Sequence, residues 1–188
     1  MTSPIEEYFK ALDDLTGGAE PKNVLITEEH ERPPLWVFIY RDLLEAESIT
    51  AFTYGLSNED HPHWVKGKPE LVISVHSQDE RWVLAMGFIA KKLRGKCAFS
   101  YGQVVRFGDR ITPETEMNAF LIFAPSVLDE EQRHIVLSDR TINVAQMYPI
   151  YEDEIDLIES AGGEVLFGNE EYDPYSVKRP SMFKWSRT

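Results

Sequence analysis

The six residues Leu35–Tyr40 constrain the fold of this chain most, because all six (LWVFIY) are apolar. A strand with one face in water alternates apolar and polar residues, whereas a continuous apolar run indicates a strand that is buried on both faces. A second run of this kind, Asn118–Phe123, is predicted to lie near the centre of the same sheet. The sequence therefore predicts a sheet that other elements cover on both sides.

Three segments with helical signals can supply that cover. The first helix begins with the capping box Ser3–Glu6 and ends at Gly17, and the second begins with a similar box, Ser77–Glu80, and ends at Gly95. The third, Glu152–Ala161, places its apolar residues inward and its acidic residues outward. These patterns predict about three helices that flank the sheet.

The remaining apolar runs are predicted to be strands, and no linker is rich enough to divide the chain. At 188 residues the chain can bury one large core, so residues 1–168 are predicted to form a single α+β domain with a mixed, largely antiparallel sheet. Residues 169–188 show no period and are interpreted as a tail, which is either loose or packed on the body. The further predicted strands are Ile49–Tyr54, Leu71–Val75, Val104–Phe107, Met117–Ala124, Ile135–Leu137, Ile142–Gln146 and Glu164–Phe167, and the basic residues that could hold the tail are Lys178, Arg179, Lys184 and Arg187.

The charge balance limits the classes of partner. With 32 acidic and 19 basic residues the net charge is −13, which repels nucleic-acid phosphates and anionic membranes and favours basic protein partners, although plain solubility explains it equally well. No apolar run approaches the roughly 20 residues of a membrane span. A single cysteine, Cys97, excludes an internal disulfide and fits a reducing compartment, so a cytoplasmic location is predicted.

The segment after the Ile49–Tyr54 strand collects residues that perform chemistry. Asp60, His61 and His63 are the best candidates for a metal site, and a metal-dependent hydrolase built on them is one hypothesis. However, two histidines at positions i and i+2 point to opposite sides of an extended segment, and the usual spacings of metal ligands are absent. We therefore predict no metal.

Other catalytic patterns are weak. Ser126 lacks the G-x-S-x-G context of a nucleophile elbow, and no glycine-rich loop opens a helix to cradle phosphate. Cys97 fits a buried structural thiol better than a reactive one. The sequence therefore predicts no enzyme and implies no cofactor.

Two groups of residues are better suited to binding a protein. Trp64 lies on the same polar loop as Asp60, His61 and His63, where a large aromatic side chain serves either as an interface anchor or as a lid on the core. The acidic face of the third helix could meet a basic partner, or could simply be solvated. The candidate binding residues are Asp60, His61, His63, Trp64, Glu152, Asp153 and Asp156.

An ordered series of motifs over residues 49–167 resembles the Suppressor of Fused domain family. The series is a Tyr-Gly-Leu-Ser turn, a Glu-Leu strand, a Trp-bearing helix, a Gly-x-x-Val strand entry and a Pro-Ile step into an acidic helix. The segments that carry it are Thr53–Ser57, Pro69–Ile73, Arg81–Ala90, Ser100–Val105 and Val144–Glu154.

The resemblance implies protein binding without catalysis. Animal members have a second, C-terminal domain that this chain is too short to contain, so their transcription-factor binding is not carried over. Compact one-domain members resemble bacterial proteins that are inferred to be immunity proteins against polymorphic toxins. We therefore expect a cytoplasmic immunity protein that binds a basic toxin domain, with an intracellular adaptor for an unrelated partner as the alternative.

Overall fold

The computed structural model describes residues 2–28, 30–31 and 33–185, with the backbone alone for Trp185. The strands are β1 Lys22–Leu25, β2 Trp36–Arg41, β3 Ile49–Tyr54, β4 Lys68–Val75, β5 Val104–Arg106, β6 Ala119–Phe123, β7 His134–Val136 and β8 Thr141–Ile150. The α-helices are α1 Pro4–Thr16, α2 Arg81–Leu93, α3 Ile155–Ala161, α4 Glu164–Phe167 and α5 Met182–Trp185, and 3-10 turns lie at Leu56–Asn58, Glu130–Arg133 and Glu152–Glu154.

The strands form one mixed sheet in the order β1-β2-β3-β4-β8-β6-β5, and β7 pairs with the first residues of β8. Every pairing is antiparallel except that of β4 with β8. The prediction of an α+β fold with a mixed, largely antiparallel sheet is confirmed. The predicted central position of Asn118–Phe123 is wrong, since β6 lies next to the edge strand β5. A run of apolar residues indicates that other elements cover both faces of a strand. It carries no information on which strands lie beside it in the sheet.

Helices cover both faces of the sheet. In β2, Val37 and Ile39 pack in the core layer under α2, whereas Phe38 and Tyr40 pack in the layer under α1. The layer on the α1 side continues along β8 and β6 to a third cluster under α3 and α4. The continuous apolar run is thus explained by burial on both faces, as the sequence predicts.

The capping-box pattern in the sequence predicts the start of α1 correctly but not the start of α2. In α1, Glu6 Oε2 accepts a hydrogen bond from Ser3 N at 2.7 Å, which closes the predicted capping box. Helix α2 begins at Arg81 instead of at the predicted box. Ser77 donates its hydroxyl to Glu114 at 2.8 Å, and Glu80 forms ion pairs with basic residues of β1 and β2, so both side chains are engaged by distant segments.

The end of the sheet differs from the prediction in two places. Glu164–Phe167 is a helix, not a strand; its run of three apolar residues is too short to distinguish the two by periodicity. β8 continues to Ile150, past the predicted end at Gln146 and through Pro149. Beyond Gln146 β8 pairs with β6 alone, and a strand paired on one side accommodates a proline.

A buried ion pair holds residues 169–185 against the body. The guanidinium of Arg179 donates to both carboxylate oxygens of Glu154, at 2.6 and 2.8 Å, and both side chains are almost fully buried. Lys178 and Lys184, by contrast, are exposed. The fourth basic tail residue of the prediction, Arg187, lies outside the described residues. Within those residues, no helix is long and apolar enough to cross a membrane.

Candidate functional site

A fully buried carboxylate joins the two segments that precede and follow the candidate loop. Glu70 in β4 has no exposed surface, and its Oε1 accepts hydrogen bonds from Gly55 N at 2.8 Å, Ser57 N at 2.9 Å and Ser57 Oγ at 2.7 Å. Its Oε2 accepts a bond from the hydroxyl of Thr53 at 2.6 Å. Burial raises the pKa of the Glu70 carboxyl, against the effect of these four donors. The carboxylate fixes the turn after β3 onto β4.

The turn itself requires a glycine. Gly55 has a φ of 122°, and a Cβ at this position would lie 2.2 Å from the carbonyl oxygen of Pro34. Arg140 stabilises the same turn with two hydrogen bonds: its Nε donates to Ser57 Oγ at 3.1 Å and its Nη2 to Asn58 Oδ1 at 2.6 Å. The loop that follows, residues 59–67, therefore starts from a rigid base.

The polar residues of the loop interact mainly with each other. Asp60 forms an exposed ion pair with Lys68 at 2.6 Å, and the hydrogen bond and charge of Lys68 lower the pKa of the Asp60 carboxyl. The rings of His61 and His63 lie 5.2 Å apart, and His61 lies 5.5 Å from the indole of Trp64. The structure thus brings together the rings of His61, His63 and Trp64, whereas Asp60 is engaged by Lys68 of β4.

Trp64 is tied to the body. Its indole N–H donates to the carbonyl oxygen of Ala98 at 2.8 Å, and the ring packs against the core layer under α2. The interpretation of Trp64 as a lid on the core is confirmed. Because its single N–H donor is already used and its ring is half-buried against the core, Trp64 holds the loop in place more than it offers a free anchor.

A groove with a volume of about 490 Å³, here called the loop groove, opens beside this loop. Its walls come from three distant segments: the loop with Val65, the segment with Tyr101, and the β7–β8 pair with His134 and Asn143. Val65 is 85% exposed and Tyr101 50% exposed, so the groove has an apolar rim. His134 Nδ1 lies 2.8 Å from Asn143 Oδ1, which fixes the wall that β7 and β8 form.

Sequence reasoning missed Val65, Tyr101 and His134 as parts of this surface. Val65 stands directly beside Trp64, and Tyr101 lies in one of the segments that carry the family resemblance, so both were visible as apolar residues in polar surroundings. All three are brought to β8 separately: Pro69, after the loop, lies opposite Asn143, His134 pairs with Asn143 from the other side, and the Tyr101 hydroxyl donates to the carbonyl oxygen of Val144 at 3.3 Å. These contacts leave no local pattern in the sequence.

The groove has an acidic border. The exposed residues Asp129, Glu130 and Glu131 stand just before His134, which lines the groove. None of the described residues that line the groove is acidic. The site is thus a mainly apolar surface with one lysine, Lys66, in its lining and negative charge at its margin.

The acidic residues predicted on the third helix lie elsewhere. Glu152 pairs with Arg106 at 3.2 Å, Asp153 accepts a hydrogen bond from the Ser181 hydroxyl at 2.8 Å, and Asp156 is exposed. They follow the C-terminal end of β8, whereas Asn143 of the groove lies near its start. Nine steps along the chain separate Asn143 from Glu152, and at about 3.3 Å per step they span roughly 30 Å. The structure does not bring the two predicted groups together.

Two of the candidate chemistries, at a metal ion and at a thiol, can be compared with the described part of the chain. No group of three or more His, Cys, Asp or Glu residues there could hold a metal ion. The Cys97 thiol is buried, as the sequence predicts, and burial raises its pKa, which disfavours the reactive thiolate.

Solved structures share this fold at low sequence identity. A SUFU homolog from Neisseria gonorrhoeae FA 1090 is 17% identical with a TM-score of 0.75, and 94% of each chain is covered. One chain of the Sufu–Fu complex is 12% identical with a TM-score of 0.75, covering 97% of this chain and 93% of that one. Drosophila Suppressor of Fused is 11% identical with a TM-score of 0.69, covering 97% of this chain but 52% of that one.

The architecture therefore defines an α+β domain of the class found in these structures. The family model for Suppressor of fused protein (SUFU) matches residues 31–180. The chain belongs to the Suppressor of Fused family, which confirms the resemblance read from its motifs. No curated protein matches the chain by sequence.

Proposed function

We propose that this chain is a non-enzymatic protein-binding domain that docks its partner in the loop groove. The observation that carries the proposal is the exposed apolar rim formed by Val65 and Tyr101 around a concave surface. Exposed apolar residues around a concavity are typical of binding sites, and aromatic side chains such as that of Tyr101 supply much of the affinity at protein interfaces. The solved Sufu–Fu complex, one chain of which has this fold, supports a protein as the ligand.

The charge around the groove favours a basic partner. The exposed run Asp129–Glu131 lies beside His134 of the groove, on a chain of net charge −13, and outweighs the single lysine of the groove lining, Lys66. Such a distribution accelerates the encounter with a cationic surface, while apolar contacts inside the groove set the residence time. The partner that fits is a protein with an apolar side chain surrounded by lysine or arginine.

We further infer that this partner is a toxin domain, neutralised because the acidic body covers a basic active site. The membership of a compact chain in this family, together with its acidity, supports the inference. In this proposal the domain is rigid and performs no chemistry, so one molecule inhibits one toxin.

The product of the gene next to the one that encodes this chain is the first partner to test. Co-expression of an inactive form of that product with the chain should give a stable complex, and the active form should lose its toxicity in the presence of the chain. A complex without any effect on toxicity would favour the adaptor alternative. If no complex forms with any toxin encoded nearby, the immunity function is wrong.

A further inference from the structure

Strand β7 lies at an edge of the sheet. It pairs with β8 on one side, and no other described strand pairs with it. The 3-10 turn Glu130–Arg133 leads directly into its first residue. Two of its three residues, His134 and Val136, are exposed, Val136 to 78%. A strand in this position presents backbone groups with which another chain can pair.

The register of β7 shows which of its backbone groups face outward. Leu137 N donates to the carbonyl oxygen of Arg140 at 2.8 Å, so these two residues form a hydrogen-bonded pair at the turn. Opposite residues of an antiparallel ladder alternate between hydrogen-bonded and non-hydrogen-bonded pairs. Along the register from that turn, Val136 and His134 both belong to non-hydrogen-bonded pairs with β8. Their N–H and C=O groups, here called the free edge, therefore point away from β8.

The free edge is unoccupied by other parts of the described chain. Among the described residues, no backbone group outside β8 makes a hydrogen bond with His134 or Val136. Natural edge strands are often protected by a lysine, a proline or a bulge, and β7 has none of these. Its short length is a protection of another kind, so pairing along β7 is weak unless side-chain contacts add to it.

The side chains of the same two residues lie on the face of the loop groove. Successive residues of a strand point to opposite faces, and Ile135, between them, is buried in the core layer under α1. His134 lines the loop groove, so Val136 lies on the groove face as well. A strand added to the free edge would place every second side chain on this face, next to the groove.

The charge at the start of β7 selects the kind of strand. The exposed run Asp129–Glu131 stands just before the free edge. Arg133, in the same stretch, is half-buried and donates its Nε to the carbonyl oxygen of Leu128. A second copy of the chain would bring the same carboxylates and a net charge of −13, so like charges oppose it. A segment that carries lysine or arginine is complementary.

We propose, on the basis of the docking function above, that the docking segment of the partner is an extended basic strand. It pairs with the free edge of β7 and lays an apolar side chain over the loop groove. In this mode of recognition, main-chain hydrogen bonds supply affinity and contacts of alternate side chains supply specificity. The groove selects the apolar residues of the strand, and the run Asp129–Glu131 selects its basic residues.

The probe is a heptapeptide of alternating lysine and valine, blocked at both ends and titrated into the full chain at neutral pH. Its valines fall on one face when it is extended. We expect saturable binding in NMR spectra, with slower solvent exchange at the amides of His134 and Val136. At about ten times its Kd the peptide leaves about a tenth of the chain free, so exchange should slow about tenfold. The same peptide with glutamate in place of lysine should bind about tenfold more weakly or worse.

A proline variant tests the backbone contact. Val136→Pro removes an outward N–H that takes no part in the ladder with β8, and edge positions of this kind accept proline. It should weaken peptide binding about fivefold or more, as the loss of one hydrogen bond predicts. Val136→Thr is the matched control, since it keeps the N–H and the β-branched shape, and its affinity should stay within about twofold of the wild type.

Four results would overturn the proposal. They are the absence of saturable binding, binding with unchanged exchange at His134 and Val136, equal affinity for the lysine and glutamate peptides, and equal affinity of Val136→Pro and Val136→Thr. The exchange measurement needs the wild-type chain alone, so it decides the question even if the proline variant does not fold.

The docking function is tested separately with the product of the neighbouring gene. If that protein binds, and loses affinity when Val65 and Tyr101 are replaced, a negative peptide result refutes the added strand alone. If the peptide pairs with β7 but no protein partner is found, the free edge is a strand-binding site and the proposed function is wrong.

Discussion

Ser57 directs both of its hydrogen-bond donors at one oxygen of Glu70, its backbone N–H at 2.9 Å and its hydroxyl at 2.7 Å. The Tyr-Gly-Leu-Ser turn and the Glu-Leu strand, which are two of the motifs that identify the family, are therefore in direct contact. Their role is to hold the base of the candidate loop. Residues that carry a family resemblance need not be the residues that bind.

We expect Gly55→Ala to destabilise the protein strongly. The added Cβ would meet the carbonyl oxygen of Pro34 at 2.2 Å, in a backbone region that alanine avoids, so the free energy of unfolding should fall by about 3 kcal/mol. Gly102→Ala is the matched control, since Gly102 also has a positive φ but a Cβ added there would have no atom within 4 Å. It should cost about 1 kcal/mol. Urea denaturation measures both, and equal losses would contradict the steric explanation.

The pKa of Glu70 predicts an unusual pH dependence. Burial raises the pKa of this carboxyl in the folded protein above its ordinary value of 4.5, so the folded state holds the proton more tightly than the unfolded chain does. Stability from this group is complete below the unfolded pKa and is lost as the pH rises through the folded pKa. Glu70→Gln cannot ionise, so its stability relative to the wild type should increase between pH 4.5 and neutrality. Urea denaturation at a series of pH values tests this; a difference that is constant with pH would refute it.

Glu154 and Arg179 should be coupled energetically. Arg179→Met leaves the Glu154 carboxylate buried without its partner, and we expect a loss of about 4 kcal/mol. Adding Glu154→Gln removes that charge and should restore about 2 kcal/mol. Hydrogen exchange of residues 169–181 should accelerate in the single variant, since the guanidinium also bonds the carbonyl oxygen of Pro149. No recovery in the double variant would argue that the charge left on Glu154 is not the cause.

Trp64 should contribute to stability as well as to the shape of the groove. Trp64→Phe removes the hydrogen bond to the carbonyl oxygen of Ala98 and should cost about 1 kcal/mol, and Trp64→Ala also removes packing and should cost about 2 kcal/mol. Asp60→Ala should leave the urea midpoint unchanged, because Asp60 is exposed. If Trp64→Ala were as stable as the wild type, the indole would not be a lid.

The helix starts show what local sequence can predict. The boxes Ser3–Glu6 and Ser77–Glu80 have the same pattern, but only the first closes. The second does not close, because Ser77 bonds Glu114 and Glu80 pairs with Lys22 and Arg41. No local sequence pattern connects these three partners to the box. Seven of the eight strands were predicted, because burial of the faces leaves a pattern along the chain, but β1 was missed and Glu164–Phe167 was wrongly assigned as a strand. The order of the strands was not predictable in this way, because distant residues determine which strands are neighbours.

The candidate site was predicted in part. The loop with Trp64 stands out because aromatic and ionisable residues are close together in sequence. The other walls, with Tyr101 and His134, come from segments that are brought in by a hydrogen bond from Tyr101 to Val144 and by the pairing of β7 with β8. The acidic residues Glu152 and Asp156 share the charge of the loop region but not its position, and charge alone could not separate them.

The affinity of a purified partner for Val65→Lys/Tyr101→Ala tests the central claim most directly, by isothermal titration calorimetry beside the wild type. The account predicts that binding weakens about thirtyfold or more, since a rim aromatic is lost and a positive charge enters the rim that faces a cationic partner. Phe88→Ala, at a residue of α2 with 52% exposure, is the control and should bind normally. Unchanged affinity of Val65→Lys/Tyr101→Ala, with loss of binding in Glu152→Lys/Asp156→Lys instead, would contradict the loop groove as the docking surface.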